Sequence, residues 1–264
     1  MNHAGCRSSL KQQQTKRELH TLPRSQRFQR SPLSQAGADV QPEDSMNQLR
    51  VTGPETTAAT ILMAHGAGAG MDTPFMERVA QGLAEREWQV IRFEFPYMTH
   101  QRISGRRTPP NKLNILLRSF LDQVMALDAN RSLVIGGKSM GGRVASLIAD
   151  ELYSDSRILG CVCLGYPFHP LGKPQTLRVN HLIKLRTPTL IVQGERDAMG
   201  SREEVEQFSL SRQLQFNWMP DGDHSFKPRR RSGRSEEQNL NLAVQKVHHF
   251  LVSLTTAVTE TAAD

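Results

Sequence analysis

The chain has no run of the ~18 apolar residues that a membrane span requires, and no apolar stretch near its N-terminus that would act as a secretory leader. Hydrophobic residues make up 38 % of its 264 positions, but they come in short runs. That content suffices for one large domain with a full core. Three cysteines are too few for a disulfide framework. Cys161 and Cys163 stand two apart in an apolar run, so they share one strand face as buried thiols, and no further ligands lie nearby to make a metal site. We therefore expect no metal, no cofactor, no membrane partner and a reducing, cytoplasmic setting. No internal repeat is visible.

Residues 1–45 lack large apolar side chains almost entirely. They are rich in Gln, Ser and Arg, with prolines at 23, 32 and 42. Arg7, Lys11, Lys16, Arg17, Arg24, Arg27 and Arg30 face the lone Glu18 before Asp39. Such a segment cannot bury enough surface to offset its ordering entropy, so we expect a disordered basic tail on a domain spanning 46–264. A true start at Met46, with the preceding residues an extension, is the alternative. Pro23 and the weak apolar pattern argue against an organellar transit helix. Basic arms can bind nucleic acid, but we expect no such partner here.

What is present centres on Gly136-Gly137-Lys138-Ser139-Met140-Gly141-Gly142. An apolar run, Leu133-Val134-Ile135, precedes it and an amphipathic one, Val144 to Tyr153, follows. This is the strand, sharp turn and helix of a nucleophile elbow, with Gly-x-Ser-x-Gly at the turn. Side chains at Gly137 and Gly141 would collide where strand and helix pass closely. The helix starts behind Ser139, so its free N–H groups point at the reacting centre. By chance such a motif arises in about one chain in ten of this length. The weight therefore falls on its companions.

A serine hydroxyl needs a base, and the base needs an orienting acid. Thr187 to Val192 reads as a buried strand running into Gln193-Gly194-Glu195-Arg196-Asp197. Leu214 to Met219 reads as another, ending in Pro220-Asp221-Gly222-Asp223-His224. Parallel sheets put ligand sites at the C-terminal ends of their strands. The order Ser139, Asp197, His224 is that of α/β-hydrolases and differs from both protease folds. Asp223 is a rival acid, but an immediate neighbour seldom reaches back to the adjacent ring.

A further apolar run, Thr60 to Ala64, leads into His65-Gly66-Ala67-Gly68-Ala69-Gly70. Glycines let backbone N–H groups approach a substrate. The oxyanion donors expected here are the N–H groups of Ala67, with Gly68 as the near alternative, and of Met140. A phosphate cradle is the competing reading. No Gly-Lys-Ser/Thr closes this loop and it lacks Gly-x-Gly-x-x-Gly spacing. His65 is expected to brace the loop.

These segments together resemble the α/β-hydrolase superfamily. They are most similar to the group related to testis-expressed protein and NSL-complex subunit 3, with dienelactone-hydrolase-like members nearby. The matching residues include His65–Gly70, Phe93-Glu94-Phe95-Pro96-Tyr97, Gly136–Arg143, Leu164–Pro170, Gln193–Asp197 and Gly222–Phe226, within about Met46 to Leu254. Lys138 departs from the His or Asp common before the nucleophile in many superfamily esterases and fits this smaller group better. The resemblance implies a hydrolase fold and a serine nucleophile. Some relatives of this group act as subunits of complexes.

Past Met46 the pattern predicts helix 71–87, strand 89–93, helix 111–127, strand 131–136, helix 141–153, strand 160–164, strand 189–192, helix 202–208, strand 214–219 and helix 236–254. Alternation of this kind makes an α/β fold, a mostly parallel sheet wound on both faces with no large lid domain. Segments 94–110 and 165–188 interrupt it beside Ser139. Phe95, Tyr97 and Phe168 in them either line a shallow substrate pocket or plug the sheet end. Lys138, Arg106, Arg107 and Arg229–Arg231 would gather around the site as an anion-attracting rim, or as a solvated basic surface.

The predicted chemistry is acyl transfer from an ester, lactone or thioester of a small substrate, anionic or neutral, to water through an acyl-serine. A non-catalytic interaction subunit, using the basic loop 227–234 to dock an acidic partner or nucleic acid, is one alternative. Acyl transfer to an alcohol or thiol is the other. Oligomeric state is not legible in the chain.

Overall fold

The computed structural model describes residues 49–261. The chain divides into the units Met1–Met46 and Asn47–Asp264, and the expected tail, 1–45, lies outside the described residues. Among the described residues, seven strands form one sheet: β1 (Arg50–Thr52), β2 (Thr60–Ala64), β3 (Gln89–Phe93), β4 (Leu133–Lys138), β5 (Gly160–Leu164), β6 (Thr189–Gly194) and β7 (Leu214–Met219). Their order is β1-β3-β2-β4-β5-β6-β7. Only β1 runs antiparallel, on β3. The helices are α1 (Pro74–Ala84), α2 (Pro96–Ser104), α3 (Leu113–Ala126), α4 (Met140–Ser154), α5 (Arg202–Val205) and α6 (Glu236–Thr261).

The central strands are buried throughout because both faces are covered. Leu62 and Ala64 of β2 join Leu133 and Ile135 of β4 under α3 and α4. Ile61, Met63 and Val134 point the other way, into the layer formed with α1 and α6. Period-two alternation thus feeds two cores. Cys161 and Cys163 share one face, Sγ to Sγ 4.0 Å, with no solvent exposure.

The loops after β2 and β4 lead to helices on opposite faces of the sheet. Such a switch point opens a crevice at the C-terminal ends of the strands. Among the described residues no helix is long and apolar enough to cross a membrane.

Three features differ from the sequence expectation. Strand β1 was not anticipated; it is a three-residue edge with little apolar character. Segment 94–110 contains a helix, α2, with Pro96 in its first turn and Gly105 at φ 67° closing it. A proline at that position sacrifices only an N–H that has no helical partner anyway, so it starts a helix inside a segment expected to interrupt the alternation of strands and helices. Helix α5 is a single turn, set by the Ser201/Glu204 capping box.

Candidate active site

Ser139 stands between β4 and α4 with φ 52° and ψ −112°, a conformation L residues rarely hold. The chain around it enforces that strain. Its N–H donates to Leu164 O at 2.9 Å on β5, and its carbonyl accepts the Arg143 N–H at 3.0 Å. A Cβ on Gly137 or on Gly141 would sit 2.3 Å from Ala64 O, so the glycines admit the β2 loop beside the elbow.

The acid and base loops converge on this serine. The Ser139 hydroxyl lies 2.8 Å from His224 Nε2, and His224 Nδ1 lies 2.7 Å from Asp197 Oδ2. A carboxylate only accepts, so Nδ1 carries the proton and Nε2 is left to accept from the serine. Asp197 has no exposed surface. Two donors complete its shell: Gln193 Nε2 at 2.8 Å and the Met199 N–H at 2.8 Å. Asp223 is turned elsewhere, accepting from the Ser225 and Lys227 N–H groups at 2.8 and 3.0 Å. The three residues ordered along the sequence thus form one hydrogen-bonded chain. Ser139 is half-buried and the His224 side chain is 25 % exposed, so the chain of groups ends at the surface.

The glycine-rich loop is braced from behind by His65. Its Nδ1 donates to Gly66 O at 2.7 Å and its Nε2 accepts the Phe95 N–H at 3.1 Å. Burial lowers its pKa, which keeps the ring neutral in this bridging role. Ala67 and Gly68 are exposed at the crevice, and Met140 is the first residue of α4. Among the described residues, neither the Ala67 nor the Met140 N–H donates to a backbone carbonyl. Both N–H groups thus lack a backbone acceptor.

Two expectations need correction. Phe95, Tyr97 and Phe168 were candidates for the pocket lining, yet they are 0 %, 4 % and 0 % exposed. Phe95 packs edge-on against His65, with ring centroids 5.3 Å apart, and Tyr97 donates from its hydroxyl to Ala67 O at 3.0 Å. Phe168 lies against Tyr166 and beside Gly200 of the acid loop. Aromatic surface at the end of a sheet is more favourably buried than left in water, and these three support the loops from beneath.

Lys138 was assigned to an exposed rim, but it is 8 % exposed. It ends a strand covered on both faces, so its ammonium turns inward. Nζ donates to His224 O at 2.6 Å and lies 5.2 Å from the centre of the Phe75 ring. Burial lowers its pKa to about 8, against the opposing pull of Asp197 and Asp223. Arg229 is committed as well, pairing with Asp221, whose carboxyl is held far below its usual range by that bond. Arg106, Arg107, Arg230 and Arg231 remain exposed.

Sequence reasoning overlooked Gln193. Its amide reaches Tyr166 O at 3.1 Å, Asp197 Oδ2 at 2.8 Å and Gly200 O at 3.1 Å, tying the loops after β5 and β6 together. A lone amide ending the apolar run 189–192 was the available signal. A groove of about 490 Å³ between α1 and α6, lined by Phe75, Glu77, Arg78 and Glu237 among others, contains none of the three chain residues. Among the described residues, no group of three or more His, Cys, Asp or Glu side chains is placed to hold a metal ion.

Against known proteins, the family profile described as "Alpha/beta hydrolase domain" matches residues 57–252. Among solved structures, a dienelactone hydrolase from Anabaena variabilis is 20 % identical with a TM-score of 0.60, covering 78 % of this chain and 91 % of that one. Est1E from Butyrivibrio proteoclasticus is 16 % identical with a TM-score of 0.58, covering 80 % and 95 %. A serine hydrolase without a lid from Xanthomonas campestris is 18 % identical with a TM-score of 0.52, covering 76 % and 87 %. At these identities the likeness is one of fold.

Proposed function

From the premise that the chain belongs to the alpha/beta hydrolase domain family, we propose that it is a serine hydrolase acting on an ester, lactone or thioester of a small substrate. The observation that carries this is the continuous hydrogen-bonded chain from Asp197 through His224 to a strained Ser139. His224 takes the hydroxyl proton as Ser139 Oγ attacks the carbonyl carbon. Buried Asp197 holds the tautomer and stabilises the imidazolium. The oxyanion is received by the Ala67 and Met140 N–H groups, each worth about 10²–10³ in turnover. His224 then protonates the leaving group, and water repeats the cycle on the acyl-serine.

Solved structures with the same fold support the class: they include a serine hydrolase without a lid and a dienelactone hydrolase. Another records ferulic acid bound to Est1E. Kinship with the testis-expressed and NSL-complex group rests on the motifs around Ser139 and His224. Two free, buried cysteines support a reducing compartment such as the cytoplasm.

The test is hydrolysis of short p-nitrophenyl esters and thioesters by the wild type, Ser139→Ala and His224→Ala. Loss of turnover by about 10⁴-fold or more in both, with circular dichroism unchanged, is expected. Wild-type protein that hydrolyses none of the panel would favour the interaction-subunit reading.

A further inference from the structure

Half-buried arginines in this protein normally have a partner. Among the described residues Arg78 pairs with Glu237 and Arg196 with Asp221, while Arg86 donates to Gly82 O and Arg157 to Val124 O. Arg143 and Arg178 break the pattern. Both are half-buried, and among the described residues neither guanidinium has a carboxylate or carbonyl partner. Arg143 Nε is buried with no hydrogen bond at all.

Both groups act on the buried ring of Tyr166. Arg143 lies one turn into α4, and helical side chains lean toward the N-terminus, here toward Ser139. Arg178 is fixed in the loop after β5 by its own backbone, donating to Phe168 O at 2.7 Å and accepting from the Tyr166 hydroxyl at 2.9 Å. Tyr166 feels both charges. Burial, and then the charge of Arg143, lowers the pKa of Arg178. Ser146, one turn beyond Arg143, is buried, donates to Arg143 O and lies 2.9 Å from His181 Nε2.

Two like charges kept together, partly out of water and without a counter-ion, are unfavourable unless an anion from outside joins them. A pair of guanidinium forks suits the oxygens of a carboxylate or phosphate. We propose that Arg143 and Arg178 form an oxyanion-binding subsite beside Ser139 that receives a carboxylate or phosphate carried by the substrate. This rests on the serine-hydrolase reading for its catalytic meaning, but not for its binding. It also relocates the anion preference from the exposed rim, where Lys138 and Arg229 are already engaged, to groups that are not.

The experiment compares the p-nitrophenyl half-ester of glutaric acid with p-nitrophenyl valerate. The wild type is expected to favour the half-ester in kcat/KM. Arg143→Met and Arg178→Met should each reduce that selectivity about 10-fold, and Arg143→Lys, which keeps the charge and loses the fork, by less. Thermal unfolding supplies a readout independent of turnover. Glutarate and inorganic phosphate should raise Tm in Ser139→Ala, and not in Ser139→Ala combined with Arg143→Met. A shift with glutarate alone identifies a carboxylate site; a shift with both identifies a general oxyanion site. Equal handling of the two esters, with no shift from either anion, overturns the subsite while leaving hydrolysis intact. An Arg143-dependent shift in a protein that hydrolyses neither ester supports the subsite and instead removes the hydrolase reading.

Discussion

Replacing Lys138 with methionine isolates one buried charge beneath the loop that carries His224. Methionine has similar length and no charge, so packing against Phe75 survives. The lysine's pKa falls from 10.5 to about 8 in the fold because the ammonium is desolvated. The folded chain therefore binds this proton more weakly than the unfolded one. Below about pH 8 the group opposes folding in full, and the penalty is relieved as pH rises toward 10.5. At ~1.4 kcal/mol per pH unit, the opposition is about 3 kcal/mol at neutral pH. By about pH 9.5 it shrinks to about 1 kcal/mol. The wild type should thus gain about 2 kcal/mol relative to Lys138→Met between about pH 7 and pH 9.5. Urea unfolding of both proteins at the two pH values measures this, with matched m values. A difference that stays constant with pH would refute the reasoning, because the amine would then be reaching water. Turnover reports a second consequence. Without the Nζ donor, His224 O loses its 2.6 Å bond, and kcat should fall about 10-fold as the base loop loosens.

Gly141→Ala should be severely destabilising, because its Cβ would lie 2.3 Å from Ala64 O and 2.7 Å from His65 O, both backbone atoms that cannot yield. A loss of about 3 kcal/mol or more is expected, seen as a Tm lower by roughly 10 °C. Asp197→Asn should cost about 10³–10⁴ in kcat on a p-nitrophenyl ester, while Asp223→Asn should stay within about 3-fold, since Asp223 only caps its own loop. A large loss in Asp223→Asn with a small one in Asp197→Asn would exchange their roles. Deleting residues 1–45 should leave Tm and ester turnover unchanged, given how little apolar surface that segment has to bury. A fall of several degrees would show that it packs on the domain.

Strands β2, β3, β5 and β7 fall where the apolar runs begin and end, because a short hydrophobic run bounded by polar or glycine residues has few other ways to be buried. The convergence of Ser139, Asp197 and His224 was legible for a topological reason. Each follows a parallel strand, and all such loops emerge on one edge. What the chain did not disclose depends on where side chains turn after packing. Lys138 reads as a surface cation until β4 is seen to be buried on both faces. Phe95, Tyr97 and Phe168 read equally as lining or as support; their burial decides for support. The role of Gln193, and the lack of a partner for Arg143, emerge only once loops distant in sequence meet.

The most direct test of a serine nucleophile at position 139 is covalent labelling with a fluorophosphonate, with the adduct located by peptide mass spectrometry. One adduct per chain is expected, on the peptide containing Ser139. It should be absent from Ser139→Ala and strongly slowed in His224→Ala. Undiminished labelling of Ser139→Ala, or an adduct on any other residue, would contradict the assignment of Ser139 as the nucleophile.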